Sequence, residues 1–376
     1  MMIGYRIILA AAIVTVVLGS LMVVSAEMGN GAGDTQYLTK MIARQSAYAI
    51  AGLIAYAIFL WIPIYRFRTY LFWFAYLVVL GALIACRFFG QTNGAYAWIR
   101  LGPMFTIQPS EFAKVLMIAF AGKLLSVDRG EKNLEFFKKY AAAAFLYVLI
   151  IVFVQRDIGS AVVLFVICYC MMLIPGHKQL KQIQGIMIFL VLIAVGVIVL
   201  AMSPPFTSFL MKYADDYRVA RFLAAANPFL YQYDNGYHLI MSLVSFANGG
   251  WTGLGYGNSI HKYMNFPNPS NDFILPVIVE ETGIIGFIVF LILYGCLLIP
   301  IVTASIRTER LSSKIVMLGV FTYFVVHFIL NIGGVSGLIP LTGVPLLMVS
   351  SGGSSLLASL MALALAQSEM KRSFHQ

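Results

Sequence analysis

Long hydrophobic runs separated by short polar segments recur along the chain of 376 residues. A helix that crosses a bilayer needs about 20 mostly apolar residues. Runs of that kind predict ten transmembrane helices, at residues 5–26, 44–64, 69–88, 108–126, 139–155, 158–175, 183–203, 272–300, 314–332 and 343–366. The pattern therefore predicts an all-α polytopic membrane protein with a single integral-membrane domain over residues 1–376.

The basic residues orient these spans. If the N-terminus is cytoplasmic, the inside segments hold 15 of the 25 Lys and Arg residues but only five of the 15 acidic ones. The whole formal net charge of +10 then lies on one side, as the positive-inside rule requires. We therefore predict that both termini are cytoplasmic and that the first apolar run is a span rather than a cleaved signal.

Two long segments face outward on this map, at about residues 89–108 and, between spans 7 and 8, at 204–271. Long extracytoplasmic loops are places where a membrane protein can build a site. The second loop contains the amphipathic stretch FTSFLMKYADDYRVARFL and the glycine-rich run NGGWTGLGYGNS. The amphipathic stretch predicts one or two helices in the membrane interface.

Composition narrows the class further. Hydrophobic residues make up 61% of the chain and charged ones 11%, with a mean hydropathy of +0.88. These values exclude a soluble enzyme, a disordered protein and a secreted disulfide scaffold. The four cysteines all lie in apolar runs, which is typical of packing residues; they are Cys86, Cys168, Cys170 and Cys296.

Ionisable groups at the ends of apolar spans are costly, so each is a candidate for function. Asp272 begins the eighth predicted span, and it is either a helix cap or a general base at the outer membrane surface. We expect Pro276 to kink that span and to open space beside Asp272. On an ideal helix Glu280 shares this space only obliquely, and Glu281 points away from it.

Glu111 and Lys114 lie in the first turns of the fourth predicted span, after Pro109. A spacing of three places them on one helical face, where they can form a salt bridge. Asp157 lies in the short outside turn QRDIGSA. The pattern leaves a structural and a functional role open for these groups.

Four basic residues come from the two long outside loops: Arg100, Arg218, Arg221 and Lys262. A pair of guanidinium groups such as Arg218 and Arg221 can anchor lipid head groups or bind a pyrophosphate in bidentate fashion. The sequence has no Walker-type loop, HExxH, paired CxxC or GxSxG motif, which disfavours ATP hydrolysis and zinc chemistry. The five histidines fit no metal-ligand spacing.

Five stretches resemble the signature regions of one family. They are NGAYAWIRLGPMFTIQPSEFAK (93–114), QRDIGSAVV (155–163), YRVARF (217–222), GGWTGLGYGNSIHKYMNFPNPSNDFILPVIVEETGIIG (249–286) and NIGGVSGLIPLTGVPLLMVSSGGSSLL (331–357). Together they resemble the SEDS family, the RodA, FtsW and SpoVE proteins of bacterial cell elongation, division and sporulation. The resemblance covers essentially the full chain, in the family's order and spacing.

The resemblance implies a peptidoglycan glycosyltransferase that polymerises lipid II outside the cytoplasmic membrane together with a class B penicillin-binding protein. It assigns the essential aspartate to Asp272 and the family's charged pair to Glu111 and Lys114. It assigns further loop residues to Trp98, Arg100, Asp157, Arg218, Arg221 and Lys262. We add Glu280 to the substrate-binding candidates, because of its position beside Asp272.

Several positions depart from the family's pattern. RDIGS replaces Pro-Asp-Leu-Gly-Thr, NP replaces DP at Asn227 and Pro228, NPSND replaces Glu-x-His-Thr-Asp, and SSGGSS replaces SYGGSS. None of these departures removes Asp272. They leave the elongation and the division branch both open.

The resemblance and the residues suggest one mechanism. Asp272 would deprotonate the C4 hydroxyl of the acceptor sugar, and Arg100, Arg218, Arg221 and Lys114 would offset the charge of the leaving pyrophosphate, assisted by a divalent cation (Mg or Mn). The principal alternative is a flippase for lipid II or another polyprenyl lipid. A further alternative is a scaffold that only recruits the transpeptidase.

Overall fold

The computed structural model describes residues 2–31, 34–61, 68–92, 94–102, 105–125, 132–176, 180–201, 206, 223, 225–233, 236–264 and 268–374. Within these ranges the chain forms eleven α-helices and a two-stranded antiparallel hairpin. The helices are α1 (Met2–Glu27), α2 (Thr35–Trp61), α3 (Thr69–Ala85), α4 (Pro109–Leu124), α5 (Lys132–Ile150), α6 (Ile158–Leu173), α7 (Lys181–Ala201), α8 (Tyr237–Gly249), α9 (Ile274–Arg307), α10 (Leu311–Val335) and α11 (Gly353–Phe374).

The predicted all-α membrane fold is confirmed at this level, because each predicted span overlaps one of the helices. Among the described residues, six helices are long and apolar enough to cross a bilayer, and two further apolar helices are shorter. The chain is therefore a multi-pass membrane protein. The number of ten spans stays a prediction.

The centre of the bundle consists of α4, α10 and α11, which pack on one another. Most side chains of α4 are buried, and a continuous core of alanine and leucine runs through α11. Large apolar side chains on α1, α2, α3 and α7 point outward instead, for example Ile50, Phe74 and Leu192. This inverted pattern is expected where the surrounding solvent is lipid.

The longest helix, α9, is interrupted at Gly283, and the predicted kink at Pro276 is wrong. Pro276 lies in the first turn of the helix, where its missing N–H would have had no helical partner. Gly283 adopts φ 67° and ψ −169°, which ends a short half-helix, 274–282. The remaining stretch, 284–307, rises about 36 Å, enough to cross a bilayer.

The last predicted span, 343–366, is also corrected. Residues 338–352 form no helix, and α11 begins only at Gly353. Pro340 and Pro345 cannot donate helical hydrogen bonds, and Gly343 has φ 69°. We call residues 340–346 the extended segment. It is partly buried, since Val344 and Leu346 are buried while Gly343 is exposed.

The structure describes different shares of the two segments that the sequence predicts to face outward. The first contains the hairpin of β1 (Ile99–Arg100) and β2 (Thr106–Ile107), and β2 contacts α11. The second contains α8 and two short 3₁₀ helices, Pro228–Tyr231 and His261–Tyr263. The predicted interfacial helices of FTSFLMKYADDYRVARFL lie almost entirely outside the described residues.

Candidate active site

Asp272 lies on a turn immediately before α9, and its side chain is half-buried. The N-cap residue of α9 is Phe273, whose side chain makes no capping hydrogen bond. The hydroxyl of Ser270 does not cap the helix either, because it donates to Glu27. The turn is therefore held in place by groups from other elements.

Three consecutive carbonyls of this turn each accept a hydrogen bond from a distant part of the chain. The backbone N–H of Ser351 donates to Ser270 O at 2.7 Å, and Ser350 Oγ donates to Asn271 O at 2.6 Å. Asn331 Nδ2 donates to Asp272 O at 2.9 Å. These carbonyls precede the helix, so they would otherwise lack helical partners. The backbone that carries the carboxylate is fixed residue by residue.

The same contacts explain one departure from the family pattern. In SSGGSS the first serine, Ser350, uses its side chain, since its Oγ donates to the turn and accepts from Leu346 N at 2.8 Å. The second, Ser351, contributes its backbone N–H to the turn. That hydrogen bond is available to any residue other than proline. The replacement of tyrosine by Ser351 therefore keeps the contact.

The extended segment lines the carboxylate of Asp272. A Cβ placed on Gly343 would lie 3.8 Å from Asp272 Oδ2, so these two groups are close neighbours. On its other side the segment contacts the start of α6, where a Cβ on Gly159 would overlap Thr342 O. The segment therefore lies between the turn that carries Asp272 and the turn that carries Asp157.

Asp157 caps α6, with Oδ1 accepting from Ser160 N at 3.0 Å. Its Oδ2 accepts from Gln108 Nε2 at 3.1 Å. Gln108 is in turn joined to the start of α11, because its N–H donates to Ser354 Oγ at 2.9 Å. Asp157 thus connects the N-terminal ends of three helices, α4, α6 and α11, near the extended segment.

The predicted pairing of Glu111 and Lys114 is confirmed. Lys114 Nζ lies 2.7 Å from Glu111 Oε1, and both side chains are 1% exposed. Tyr323 donates to Glu111 Oε2 at 3.1 Å, and Lys114 Nζ lies 3.2 Å from His327 Nε2. Sequence reasoning missed Tyr323 and His327. A polar side chain within an apolar span is the signal that could have found His327.

Glu280 and Lys262 occupy interior positions that the sequence did not predict. Glu280 is held by Ser259 Oγ at 2.5 Å, by His261 Nδ1 at 2.6 Å and by Asn248 Nδ2 at 3.2 Å. Lys262 Nζ lies 2.8 Å from Glu281, whose carboxylate also accepts from Ser25 at 2.6 Å.

We call the buried hydrogen bonds around Glu280 and those around Glu281 together the loop network. The network joins α1, the glycine-rich run with the residues that follow it, and the half-helix of α9.

The glycine-rich run docks backbone to backbone on the break in α9. The N–H groups of Leu254 and Gly255 donate to the carbonyls of Glu280 and Glu281 at 2.9 and 3.0 Å. In the other direction, Ile284 N–H donates to Gly250 O at 3.0 Å. The loop therefore satisfies the backbone groups that the interruption at Gly283 leaves free.

Only glycine permits this close approach. A Cβ at Gly253, whose φ is 76°, would overlap the carbonyl of Glu281. Tyr256 closes the loop by donating to Leu21 O at 2.8 Å. Burial, and then the charge of Glu281, raises the pKa of Tyr256, so its hydroxyl stays protonated as a donor.

The remaining candidates lie at the surface or outside the described residues. Arg100 is exposed on β1 and donates to Thr92 Oγ1 at 3.0 Å, and Trp98 is half-buried just before it. Arg218 and Arg221 lie outside the described residues. The structure therefore brings Asp272 together with the extended segment, and it does not test the two arginines.

Fold and site together define a class of protein. It is a polytopic helical membrane protein that holds a carboxylate beside an interrupted helix. The sequence model of the FtsW, RodA and SpoVE family, described as Cell cycle protein, matches residues 5–372. The chain belongs to this family, and the resemblance seen in the sequence is confirmed.

Two relatives show how far the similarity extends. The chain is 34% identical over 358 residues to the probable peptidoglycan glycosyltransferase FtsW of Tolumonas auensis, covering 93% of this chain and 87% of that protein. It is 33% identical over 328 residues to the stage V sporulation protein E of Bacillus subtilis, covering 85% and 84%.

The fold is similar to a solved one. A chain in a structure of a peptidoglycan synthase complex, solved to describe the coordination of polymerization and crosslinking, matches with a TM-score of 0.72 at 24% identity. The match covers 96% of this chain and 98% of that one. The helical membrane fold is therefore shared along almost the entire length.

Proposed function

We propose that this protein is a peptidoglycan glycosyltransferase that polymerises lipid II into glycan strands during bacterial cell elongation or division. Relatives at 30–34% identity that carry this activity in their names support the proposal. The observation that carries it in this chain is the half-buried carboxylate of Asp272, on a turn whose three carbonyls are fixed from two other elements.

In the proposed reaction Asp272 accepts the proton of the C4 hydroxyl on the acceptor N-acetylglucosamine. The oxygen attacks C1 of the lipid-linked donor, the bond from C1 to the pyrophosphate breaks, and undecaprenyl pyrophosphate leaves with the electron pair. The product has a β-1,4 linkage and an inverted anomeric centre. One positioned base is sufficient, because pyrophosphate is already a good leaving group.

Different basic residues take different parts in this proposal. Arg100 is exposed, and with Arg218 and Arg221 it would offset the charge on the leaving pyrophosphate. Lys114 and Lys262 are buried in ion pairs, so we assign them to positioning rather than to substrate contact. We assign Glu280 in the same way. Trp98 and Asp157 stay proposed substrate neighbours.

The described residues form no metal-binding site of their own for a divalent cation. Among them, no three His, Cys, Asp or Glu side chains converge so that they could hold a metal. A cation would have to be held largely by substrate phosphates, as Mg²⁺ often is. The described residues therefore do not fit a resident metal, and the proposed steps use none.

The topology that goes with this function has ten spans and both termini in the cytoplasm. It places Asp272, the loop 89–108 and the loop 204–271 on the outer side of the bacterial cytoplasmic membrane. The proposal includes a class B penicillin-binding protein as transpeptidase partner. The similarity to a chain of a synthase complex that combines polymerization and crosslinking supports this partner.

The test is glycan synthesis from fluorescent lipid II by purified wild type and Asp272→Asn, with and without a class B penicillin-binding protein. Loss of general base catalysis typically costs about 10²–10⁴-fold, so Asp272→Asn should lose at least 100-fold while its thermal unfolding in detergent is unchanged. Glu309→Gln, at an exposed carboxylate before α10, is the matched control.

Near-normal glycan chains from Asp272→Asn would refute the assigned base. A wild-type protein that moves lipid II between leaflets without elongating glycan would instead be a carrier.

A further inference from the structure

Two buried side chains on α10 have no part in the proposed proton transfer. His327 and Asn331 are 0% and 3% exposed. They are four residues apart, so they lie on the same face of the helix, one turn from each other. Both face the extended segment, and Asn331 also contacts the turn that carries Asp272.

The contacts of Asn331 define its orientation. Its single Nδ2 group donates to Asp272 O and to Val344 O, both at 2.9 Å. A flipped amide would place its oxygen against two carbonyl oxygens, so the observed orientation is the one that the surroundings allow. One amide group thus ties the catalytic turn directly to the extended segment.

The contacts of His327 define its protonation. Its Nδ1 lies 3.0 Å from Pro345 O, and a carbonyl oxygen can only accept a hydrogen bond. Nδ1 therefore carries the hydrogen, and Nε2 is left to accept from Lys114 Nζ at 3.2 Å. His327 is a neutral ring that connects the pair Glu111–Lys114 to the carbonyl next to the one that Asn331 binds.

The extended segment needs such contacts. It is not helical, so its carbonyls depend on donors from elsewhere, and an unmet buried carbonyl is costly. α10 supplies donors to two consecutive carbonyls, those of Val344 and Pro345. Since Gly343 adjoins Asp272 Oδ2, any shift of the segment would change the space beside the carboxylate.

We infer that His327 and Asn331 are positioning residues for the glycosyl transfer. They clamp the extended segment against α10, Asn331 sets the Asp272 turn at a fixed distance from that segment, and His327 connects both to the Glu111–Lys114 pair. This inference rests on the proposed function. It gives His327 and Asn331 a role in catalysis that requires no contact with substrate.

The experiment compares matched substitutions by their kcat and KM for lipid II. Asn331→Asp keeps the shape but removes both donors, and His327→Leu removes the donor and the acceptor. His327→Gln keeps one of each. A displacement of about 1 Å can cost 10²-fold, so we expect kcat to fall about 10- to 100-fold in the first two, with KM changed less than threefold.

His327→Gln should retain most of the wild-type kcat, because its amide can donate to Pro345 and accept from Lys114. Thr322→Ala is the control on the same helix, since Thr322 Oγ1 donates to Leu318 O within α10. Thermal unfolding in detergent is measured for every variant.

The inference is overturned if His327→Leu keeps the wild-type kcat, or if His327→Gln and His327→Leu lose equal activity. If Asn331→Asp does not fold, the His327 comparison alone decides. Failure of the proposed function is distinguishable, because wild type itself would then make no glycan, or Asp272→Asn would still make it.

Discussion

Two buried lysine–glutamate pairs, Glu111–Lys114 and Lys262–Glu281, are chemically alike but are assembled differently. Glu111 and Lys114 are three residues apart on one helix, at 2.7 Å. Lys262 and Glu281 are 19 residues apart, at 2.8 Å, and they belong to a loop and to α9. Each pair has neutral hydroxyl partners as well, Tyr323 in the first and Ser25 in the second.

The first pair depends on the local geometry of one helix, whereas the second depends on the packing of distant segments. The first pair needs only a helix from residue 109 onward to form. The second forms only when the glycine-rich run has docked on the break in α9 and α1 has brought Ser25 to it. The second pair therefore depends on the assembly of α1, the glycine-rich run and the half-helix of α9, while the first connects α4 to α10 through Tyr323.

The largest expected effect comes from Lys262→Met. It leaves Glu281 buried without its cation, and breaking a buried pair by removing one partner typically costs about 3–5 kcal/mol. We expect a large drop in the thermal unfolding temperature in detergent and poor recovery of folded protein.

The double variant Lys262→Met, Glu281→Gln should recover much of that stability, because no unpaired charge remains buried. If Lys262→Met were as stable as the double variant, the buried charge of Glu281 would not need its cation, and the loop network would not hold α1, the glycine-rich run and α9 together.

The same difference decides what the sequence could predict. Ten helices and the Glu111–Lys114 pair follow from local patterns, namely apolar run length and a spacing of three. The interruption at Gly283 and the buried states of Lys262 and Glu280 arise from contacts between segments that are far apart in the chain. No local pattern encodes such contacts.

Some of the missed features did have signals in the sequence. The glycines in GGWTGLGYG indicate a close backbone approach. Asn331, a lone amide in an apolar run, was a further signal of a buried hydrogen bond. What these signals lack is the identity of the partner, which only the fold supplies.

A smaller effect is expected from Gly253→Ala, which perturbs the docking of the loop without removing a charge. Its φ of 76° costs a residue with a side chain about 1–2 kcal/mol, and overlap with Glu281 O adds to this. We expect a loss of about 2–3 kcal/mol by the same unfolding measurement.

Gly185→Ala is the matched control. Gly185 lies in α7, and no atom of the described residues lies near the position of an added Cβ, so alanine there should be neutral or slightly stabilising. Equal losses from the two substitutions would contradict the close packing of the loop on α9.

The smallest effect is expected from Lys139→Met. It tests whether the Glu111–Lys114 pair contributes to the free energy of unfolding through pairing alone or through pairing in a buried position. Lys139 pairs with Glu135 on α5 at 2.6 Å, also within one helix turn, but the two side chains are 50% and 58% exposed. Water screens such a pair, so its loss should cost at most about 0.5 kcal/mol.

Lys114→Met should cost several times more. In that variant Glu111 would stay buried and would keep the hydrogen bond from Tyr323, but it would have lost its lysine cation. Equal unfolding temperatures for the two variants would mean that the buried pair contributes no more than a surface one.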